Sequence, residues 1–232
     1  MKALASSVPK IVHTLRALAW LLRYPDAEMR AVLPLLRSAL HDERALNAAR
    51  LQELDLLIER LGASSALRVE TEYVELFDRG RRTALHLFEH LHGDSRDRGQ
   101  AMVDLAQTYE RTGLLQAPGE LPDYLPIVLE FASTQPPSQA RDFLRETAHI
   151  VRAIFTALLE RNSPYASVLA AVLDLVGERA EKVTLPDEPA LDESWAEPEA
   201  FGGCATAGQS RPNEPQPVHI VRSARAPRRA NA

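Results

Sequence analysis

The chain has 232 residues, enough for one domain of ordinary size and a tail, and 45% of them are hydrophobic. Its formal net charge of −5 argues against general nucleic-acid binding, which favours a basic surface. The single cysteine, Cys204, excludes an intramolecular disulfide and any cysteine-rich zinc or iron–sulfur site. Charged residues interrupt the stretch from Ser7 to Tyr24, so we expect neither a signal peptide nor a membrane span and predict a soluble cytoplasmic protein.

Hydrophobic residues recur at helical spacing from the start of the chain. The first helix should carry one stripe formed by Ile11, Leu15, Leu18 and Leu22. Pro25 should end this helix, because the residue before a proline disfavours the α region. Asp26 is then placed to cap the next helix, and Pro34 should kink or restart that helix.

Similar stripes predict the remaining helices. One covers residues 54–61 and should end at Gly62, another covers residues 69–77, and a third covers residues 102–109 and should end at Gly113. Asp123 is a plausible N-cap for a helix over residues 124–133. Two last helices should begin at Ser138 and at Ser163-Pro164. With no sustained alternation typical of strands, the sequence predicts an all-α fold.

The composition changes after about residue 182. Seven of the 16 prolines lie in the last 51 residues, and an acidic stretch over residues 187–199 precedes a stretch with five arginines over residues 211–232. Such a segment cannot bury enough apolar surface to offset its chain entropy. We therefore predict a helical domain over residues 6–181 and a Pro-rich, disordered tail over residues 182–232, which contains Cys204.

Residues 72–131 hold acidic, basic, histidine and aromatic side chains at a density that a helical core does not require. This segment contains FDRGR at residues 77–81, LFEHLHGDSRDRGQAMV at 87–103 and ELPDYLPIVLEF at 120–131. In these motifs, and more loosely from LLRYPD at residues 21–26 through about Val176, the chain resembles the NarJ-type assembly chaperones of respiratory nitrate reductase. These chaperones belong to the TorD/DmsD group of redox-enzyme maturation proteins.

The resemblance implies a single compact TorD-like helical domain with a flexible C-terminal tail. It also implies a system-specific chaperone that is not an enzyme and has no cofactor of its own, and that binds the N-terminal segment of the apo catalytic (alpha) subunit of respiratory nitrate reductase. Binding would support molybdenum-cofactor insertion and assembly before the subunit docks at the membrane. Molybdenum-cofactor biosynthesis proteins are further candidate partners, whereas nucleic acid and direct membrane insertion are not expected.

A basic amphipathic peptide could lie in a groove that buries its apolar face, while an acidic rim steers it. The candidate groove residues are Tyr73, Phe88, Glu89, His90, His92, Asp123 and Tyr124. Tyr73 is favoured over its neighbour Phe77 because its polar tip suits a groove wall, whereas Phe77 suits the core. Asp123 and Tyr124 follow from the resemblance, since the matching Pro-Asp-aromatic stretch lines the leader-peptide site of related chaperones.

Two other functions compete with this interpretation. His86, Glu89 and His90 match the H-x-x-E-H pattern of inverted zinc peptidases, in which two histidines on one helical face bind the metal and the glutamate is the general base. A helical zinc metalloprotein is therefore the alternative, although the same histidines could be partly buried structural side chains. A DNA-binding regulator ranks last, because residues 1–60 offer only leucine-rich amphipathic helices.

Overall fold

The computed structural model describes residues 10–92, 97–117 and 119–185. The α-helices in these ranges are α1 (Val12–Leu21), α2 (Ala27–Ala31), α3 (Leu33–Glu43), α4 (Ala48–Ala63), α5 (Ala66–Tyr73), α6 (Leu87–His92), α7 (Asp97–Arg111), α8 (Leu125–Thr134), α9 (Pro137–Glu146), α10 (Ala148–Glu160) and α11 (Ala166–Leu175). A π-helical segment (Val74–Asp78) and a 3-10 turn (Arg81–Thr83) lie between α5 and α6. The same ranges contain one isolated β-bridge, between His86 and Tyr124. The predicted all-α fold is confirmed.

Helix α11 forms the centre of the core. Every residue of α11 except Asp174 is buried, which is the pattern of a helix covered on all sides. It packs against α1, α4 and α10, and α1 also packs against α3 and α8. Within the described ranges, none of the helices has the length and apolar character needed to cross a membrane.

Several local signals act as the sequence predicts. The Asp26 side chain accepts a hydrogen bond of 2.8 Å from the backbone N–H of Met29 and so caps α2. Pro34 lies in the first turn of α3, where a backbone N–H would have no partner within the helix, so its absence costs no hydrogen bond. Gly113, two residues after the end of α7, has a φ of +84°, a conformation that glycine adopts without strain. These three predictions are confirmed.

Three predicted helix boundaries are wrong. Helix α4 continues through Gly62 to Ala63. The Arg30 guanidinium donates hydrogen bonds to the carbonyl oxygens of Leu61 and Ser64, which have no acceptor role within the helix at its C-terminal end. Helix α9 begins at Pro137, so Ser138 is helical rather than a cap. Helix α11 begins at Ala166 rather than at Ser163-Pro164.

The long helix expected after Ser138 is in fact two helices. Thr147 has φ −93° and ψ −2°, and its N–H donates to the carbonyl of Leu144 three residues earlier. This tighter hydrogen bond ends α9, and α10 begins at the next residue.

After α11 the described chain runs back to α10, where the Val183 N–H donates to the Thr156 hydroxyl oxygen over 3.1 Å. Residues 6–9 and 186–232, and with them Cys204, lie outside the described residues. The predicted domain boundaries at residues 6 and 181, and the disorder of the tail, therefore stay predictions.

Candidate functional site

Asp123 joins three separate segments of the chain. Its side chain is fully buried, and one carboxylate oxygen, Oδ2, accepts a 3.0 Å hydrogen bond from the backbone N–H of Phe88. The other, Oδ1, lies 3.4 Å from Nδ1 of His86. The Arg98 guanidinium, at the start of α7, approaches Oδ2 to 4.0 Å. The buried charge thus has a hydrogen bond, an imidazole and a guanidinium around it, which is what keeps a buried carboxylate tolerable.

The prediction that Asp123 caps the helix after it is wrong. Helix α8 begins at Leu125 without a side-chain cap, whereas Asp123 caps the N-terminus of α6. The reason is a short antiparallel pairing of backbones, in which the Leu87 N–H donates to the carbonyl of Asp123 and the Leu125 N–H to the carbonyl of Leu85. This pairing turns the carboxylate toward α6 rather than toward its own helix.

Tyr73 lies in the core rather than on a groove wall. It is 4% exposed, and its hydroxyl donates to the carbonyl of Leu22 over 2.8 Å. Its ring packs against Phe77, with ring centroids 4.7 Å apart. Burial raises the pKa of Tyr73 far above its usual range, so the phenol stays protonated.

Tyr124 connects this buried tyrosine to the Asp123 region. Its hydroxyl lies 3.1 Å from the hydroxyl of Tyr73, and its ring stacks on His86 with centroids 5.2 Å apart. Burial raises the pKa of Tyr124, opposed in part by the hydrogen bond with Tyr73. The side chain is half-buried, so one part of it supports the core while another part reaches the surface.

The predicted residues of α6 differ in exposure. Glu89 is exposed and pairs with Arg98 over 3.3 Å, whereas Phe88 is half-buried. His90 is half-buried, with Nε2 2.9 Å from the carbonyl oxygen of Ala84. The side chain of His92 is not among those described.

The H-x-x-E-H pattern is not assembled as a metal site. His86 precedes α6 and faces Asp123, whereas His90 is turned back to the carbonyl of Ala84. Among the described side chains, no three His, Cys, Asp or Glu residues are grouped as metal ligands would be. The geometry therefore gives the zinc interpretation no support.

A family model for the nitrate reductase delta subunit matches residues 25–171. The chain belongs to the nitrate reductase delta subunit family. It is 38% identical over 187 residues to the nitrate reductase molybdenum cofactor assembly chaperone NarJ of Escherichia coli K12, covering 76% of this chain and 79% of that protein. A Bacillus subtilis protein assigned as a NarJ chaperone is 35% identical over 170 residues, covering 72% of this chain and 91% of its own length.

The fold of this delta subunit family member also has a solved counterpart. A crystal structure from Archaeoglobus fulgidus, assigned as a redox enzyme maturation protein, superposes with a TM-score of 0.52 over 76% of this chain and all of its own. At 20% identity, this match bears on the fold alone. The sequence resemblance to the NarJ-type family is confirmed.

In this delta subunit family member, α6 and α7 present apolar side chains that sequence reasoning did not select. Leu91 and Val103 are each 48% exposed, although both lie inside the motif at residues 87–103. Residues 87–121 hold six carboxylates and three arginines, a net charge of −3. We name Phe88, Glu89, Leu91, Arg98 and Val103 the α6–α7 surface. Helical spacing cannot reveal this exposure, because an apolar residue on a peripheral helix has the same spacing as one in the core.

Helix α7 is anchored to the rest of the fold mainly through one residue. Tyr109 is the only buried residue described for α7, and its hydroxyl donates to the carbonyl of Pro122 over 2.9 Å. Its ring packs 4.6 Å from that of Phe131 in α8. The motif at residues 120–131 therefore holds both helices: Pro122 holds α7, and Asp123 holds α6.

Proposed function

We propose that this protein is an assembly chaperone for a respiratory nitrate reductase, and that it binds the N-terminal segment of the apo catalytic subunit. Its relatives from E. coli are named nitrate reductase molybdenum cofactor assembly chaperones, and the match spans most of both chains. The observation that carries the proposal is the apolar α6–α7 surface in an acidic setting. Leu91 and Val103 are large, exposed and surrounded in sequence by carboxylates.

Such a surface suits an amphipathic helix with a basic face. Exposed apolar side chains offer the area that drives association, and carboxylates around them attract and orient a positively charged segment. On helices α6 and α7 those carboxylates include Glu89, Asp97, Asp104 and Glu110, all exposed. Arg98 pairs with Glu89 and neutralises it in part, while residues 87–121 as a whole keep a net charge of −3.

The predicted groove residues then divide by exposure. Phe88 and Glu89 touch the peptide directly, together with Leu91 and Val103. Buried Asp123 and Tyr73 act indirectly. Asp123 holds the start of α6, and Tyr73 supports Tyr124 just before α8. His90 and Tyr124 are half-buried, and each contacts the peptide with the exposed edge of its ring. His92 remains a candidate contact.

On this proposal the protein catalyses no reaction. It keeps the apo catalytic subunit in the cytoplasm, accessible to molybdenum-cofactor biosynthesis proteins, until the cofactor has been inserted and the subunit docks at the membrane. The bound peptide is the element that identifies the client, which gives the chaperone its specificity. Release would follow once the folded, loaded subunit withdraws its N-terminal segment.

Capture of the client tests this function. The full chain, tagged at one end, is purified from cells grown anaerobically with nitrate, and the captured proteins are identified by mass spectrometry. We expect the nitrate reductase catalytic subunit, with a molybdenum content well below one atom per chain. Its absence, or capture of only the fully loaded subunit, would contradict the proposal, and cells lacking the catalytic subunit are the control.

A further inference from the structure

One arginine of the α6–α7 surface lies between two carboxylates. Atom Nη2 of Arg98 is 3.3 Å from Oε1 of Glu89 and 4.0 Å from Oδ2 of Asp123. Glu89 belongs to α6 and has 37% of its side chain exposed, whereas the side chain of Asp123 is fully buried. The same nitrogen of Arg98 therefore faces one acceptor at the surface and another in the interior.

Neither contact has the length of a strong ion-pair hydrogen bond. Charge-assisted N–H···O bonds are about 2.7–2.9 Å long, and both distances from Arg98 exceed this. A movement of about 1 Å from Glu89 toward Asp123 would bring Nη2 to that length from the buried oxygen. The long arginine side chain can make a movement of this size without any change in the backbone.

The buried carboxylate would be stabilised by such a movement. Asp123 accepts one hydrogen bond of 3.0 Å from the Phe88 N–H and lies 3.4 Å from an imidazole nitrogen of His86. An opposite charge at close range stabilises a buried carboxylate, because the interior screens the attraction less than water does. A closer contact with Asp123 therefore offsets the loss of the contact with Glu89.

Arg98 also masks a carboxylate that the client peptide is proposed to reach. Its guanidinium carries a charge of the same sign as the basic face of that peptide, and it lies against Glu89. The other arginine of residues 87–121 whose side chain is described, Arg111, is exposed near the end of α7 and bonds the neutral side chain of Gln107 at 3.3 Å. Arg98 is thus placed to compete with the client, and Arg111 is not.

We propose that Arg98 occupies the position of a basic residue of the client, and that it thereby determines which peptides the α6–α7 surface accepts. In the free protein Arg98 holds Glu89. A lysine or arginine of the client displaces it, and Arg98 moves onto Asp123. A peptide with apolar side chains but no cation at this point leaves the Arg98–Glu89 pair in place and binds weakly.

This inference rests on the proposed function and adds the residue that determines its specificity. Specific interfaces combine attraction for the correct partner with a repulsive element against others. The exposed side chains of Leu91 and Val103 alone would accept any apolar segment. With Arg98 beside them, the surface favours a segment that is both apolar and basic.

Calorimetric titration of the full chain with the N-terminal peptide of the catalytic subunit tests this role. Arg98→Gln unmasks Glu89 and should bind the peptide about threefold to fivefold more tightly than the wild type, since no exposed ion pair has to be broken. Arg111→Gln removes the same charge from the same helix and is the matched control. It should change the affinity by less than about twofold at 0.15 M salt, because a distant exposed charge is screened.

Glu89 should respond differently in the two backgrounds. In the wild type, Glu89→Gln removes a carboxylate that is already paired, whereas in Arg98→Gln it removes one that is available. Its cost in affinity should therefore be larger in the Arg98→Gln background, by about the same threefold to fivefold factor. When each basic residue of the peptide is replaced in turn by glutamine, one of these peptides should bind the wild type and Arg98→Gln alike.

A second pair of variants covers the possibility that Arg98→Gln does not fold, since it leaves the buried charge of Asp123 without its arginine. Thermal unfolding shows whether it folds, and Asp123→Asn with and without Arg98→Gln avoids the unpaired charge. In Asp123→Asn the arginine has only Glu89 to hold, so the affinity should fall below that of the wild type. Adding Arg98→Gln should raise it again, whereas an arginine that only supports the fold would lower it further.

Equal or weaker binding by Arg98→Gln, or an equal gain from Arg111→Gln, would overturn the proposal, because Arg98 would then be a structural residue or one charge among several. An equal cost of Glu89→Gln in both backgrounds would overturn it too. In each of these cases, binding by the wild type leaves the proposed chaperone function standing. Absence of binding by the wild type and by Arg98→Gln alike would refute that function, and this inference with it.

Discussion

The carboxylate of Asp123 accepts a hydrogen bond from the backbone N–H of Phe88 across 35 residues of chain, at 3.0 Å. The motif around residue 123 therefore sets the position at which α6 begins. Through Tyr109 and Pro122 the same motif also anchors α7. Both surface helices proposed to receive the peptide are thus held in place by the same short segment, Pro122 and Asp123.

Substitution of Asp123 should destabilise the fold. Asp123→Asn keeps an oxygen for the Phe88 N–H but places an NH₂ group where Oδ1 was, beside His86, and it removes the negative charge that Arg98 faces. We expect the free energy of unfolding to fall by about 1–3 kcal/mol, and by more for Asp123→Ala. Urea unfolding measures the change, with Asp104→Asn at an exposed position as the control. Unaltered stability of Asp123→Asn would show that the carboxylate is not needed as the cap.

Gly80 and Gly99 should respond in opposite directions to replacement by alanine. A Cβ at Gly80 would lie 2.6 Å from the backbone carbonyl oxygen of Leu76 and would also clash with the Thr83 hydroxyl. Because a backbone atom cannot withdraw as a side chain can, Gly80→Ala should cost about 2 kcal/mol. Gly99 lies in α7 with nothing within 4 Å, so Gly99→Ala should stabilise by about 0.5–1 kcal/mol. Thermal unfolding of both variants checks the pair, and equal changes would refute the close approach at Gly80.

Glu72 should contribute a pH-dependent increment of stability. The hydrogen bond from Arg68, and then that from Arg60, hold the pKa of Glu72 below its usual value. A carboxyl whose pKa is lower in the folded state stabilises the fold above its unfolded pKa of about 4.3, and this contribution disappears as pH falls through the folded pKa. Since the side chain is 39% exposed, solvent screens the pair and we expect about 0.5 kcal/mol.

Unfolding of wild type and Glu72→Gln across a pH series measures this contribution. The variant should be the less stable protein at pH 7, and the two should converge in acid. A difference that persists below the folded pKa of Glu72 would mean that the loss comes from packing rather than from charge.

Peptide binding should weaken as salt rises. Residues 87–121 carry a net charge of −3, and exposed charges are screened over about 8–10 Å at 0.1–0.15 M salt. Affinity for the N-terminal peptide of the catalytic subunit, measured by calorimetry between low and high salt, should therefore fall severalfold. Affinity independent of salt would assign the binding to apolar contacts alone and would remove the steering role of the carboxylates.

The local part of the structure could be predicted from the sequence, and the motifs identified the family. Asp26, Pro34 and Gly113 act on backbone groups within a few residues of themselves, so their spacing was sufficient. Asp123 has the same local pattern as Asp26, yet its partner lies 35 residues away. Spacing along the chain cannot distinguish a cap for the following helix from a cap for a distant one.

The helical spacing of hydrophobic residues also could not predict which side chains are buried. Tyr73 and Tyr124 are both tyrosines of the dense segment, but the first is in the core and the second is half-buried. Leu91 and Val103 have core-like spacing and are exposed. The tertiary packing of α6 and α7 decides these differences, and the sequence carries no separate signal for it.

The most direct test of the proposed function is a calorimetric titration of the full chain with the N-terminal peptide of the nitrate reductase catalytic subunit. The variant Leu91→Ser/Val103→Ser changes only exposed side chains of the α6–α7 surface, and Leu35→Ser/Leu67→Ser is a matched control at side chains that are 67% and 76% exposed elsewhere. We expect saturable binding by the wild type and the control, and at least tenfold weaker binding by the first variant with unchanged unfolding. No binding by the wild type, or equal binding by all three proteins, would contradict the account.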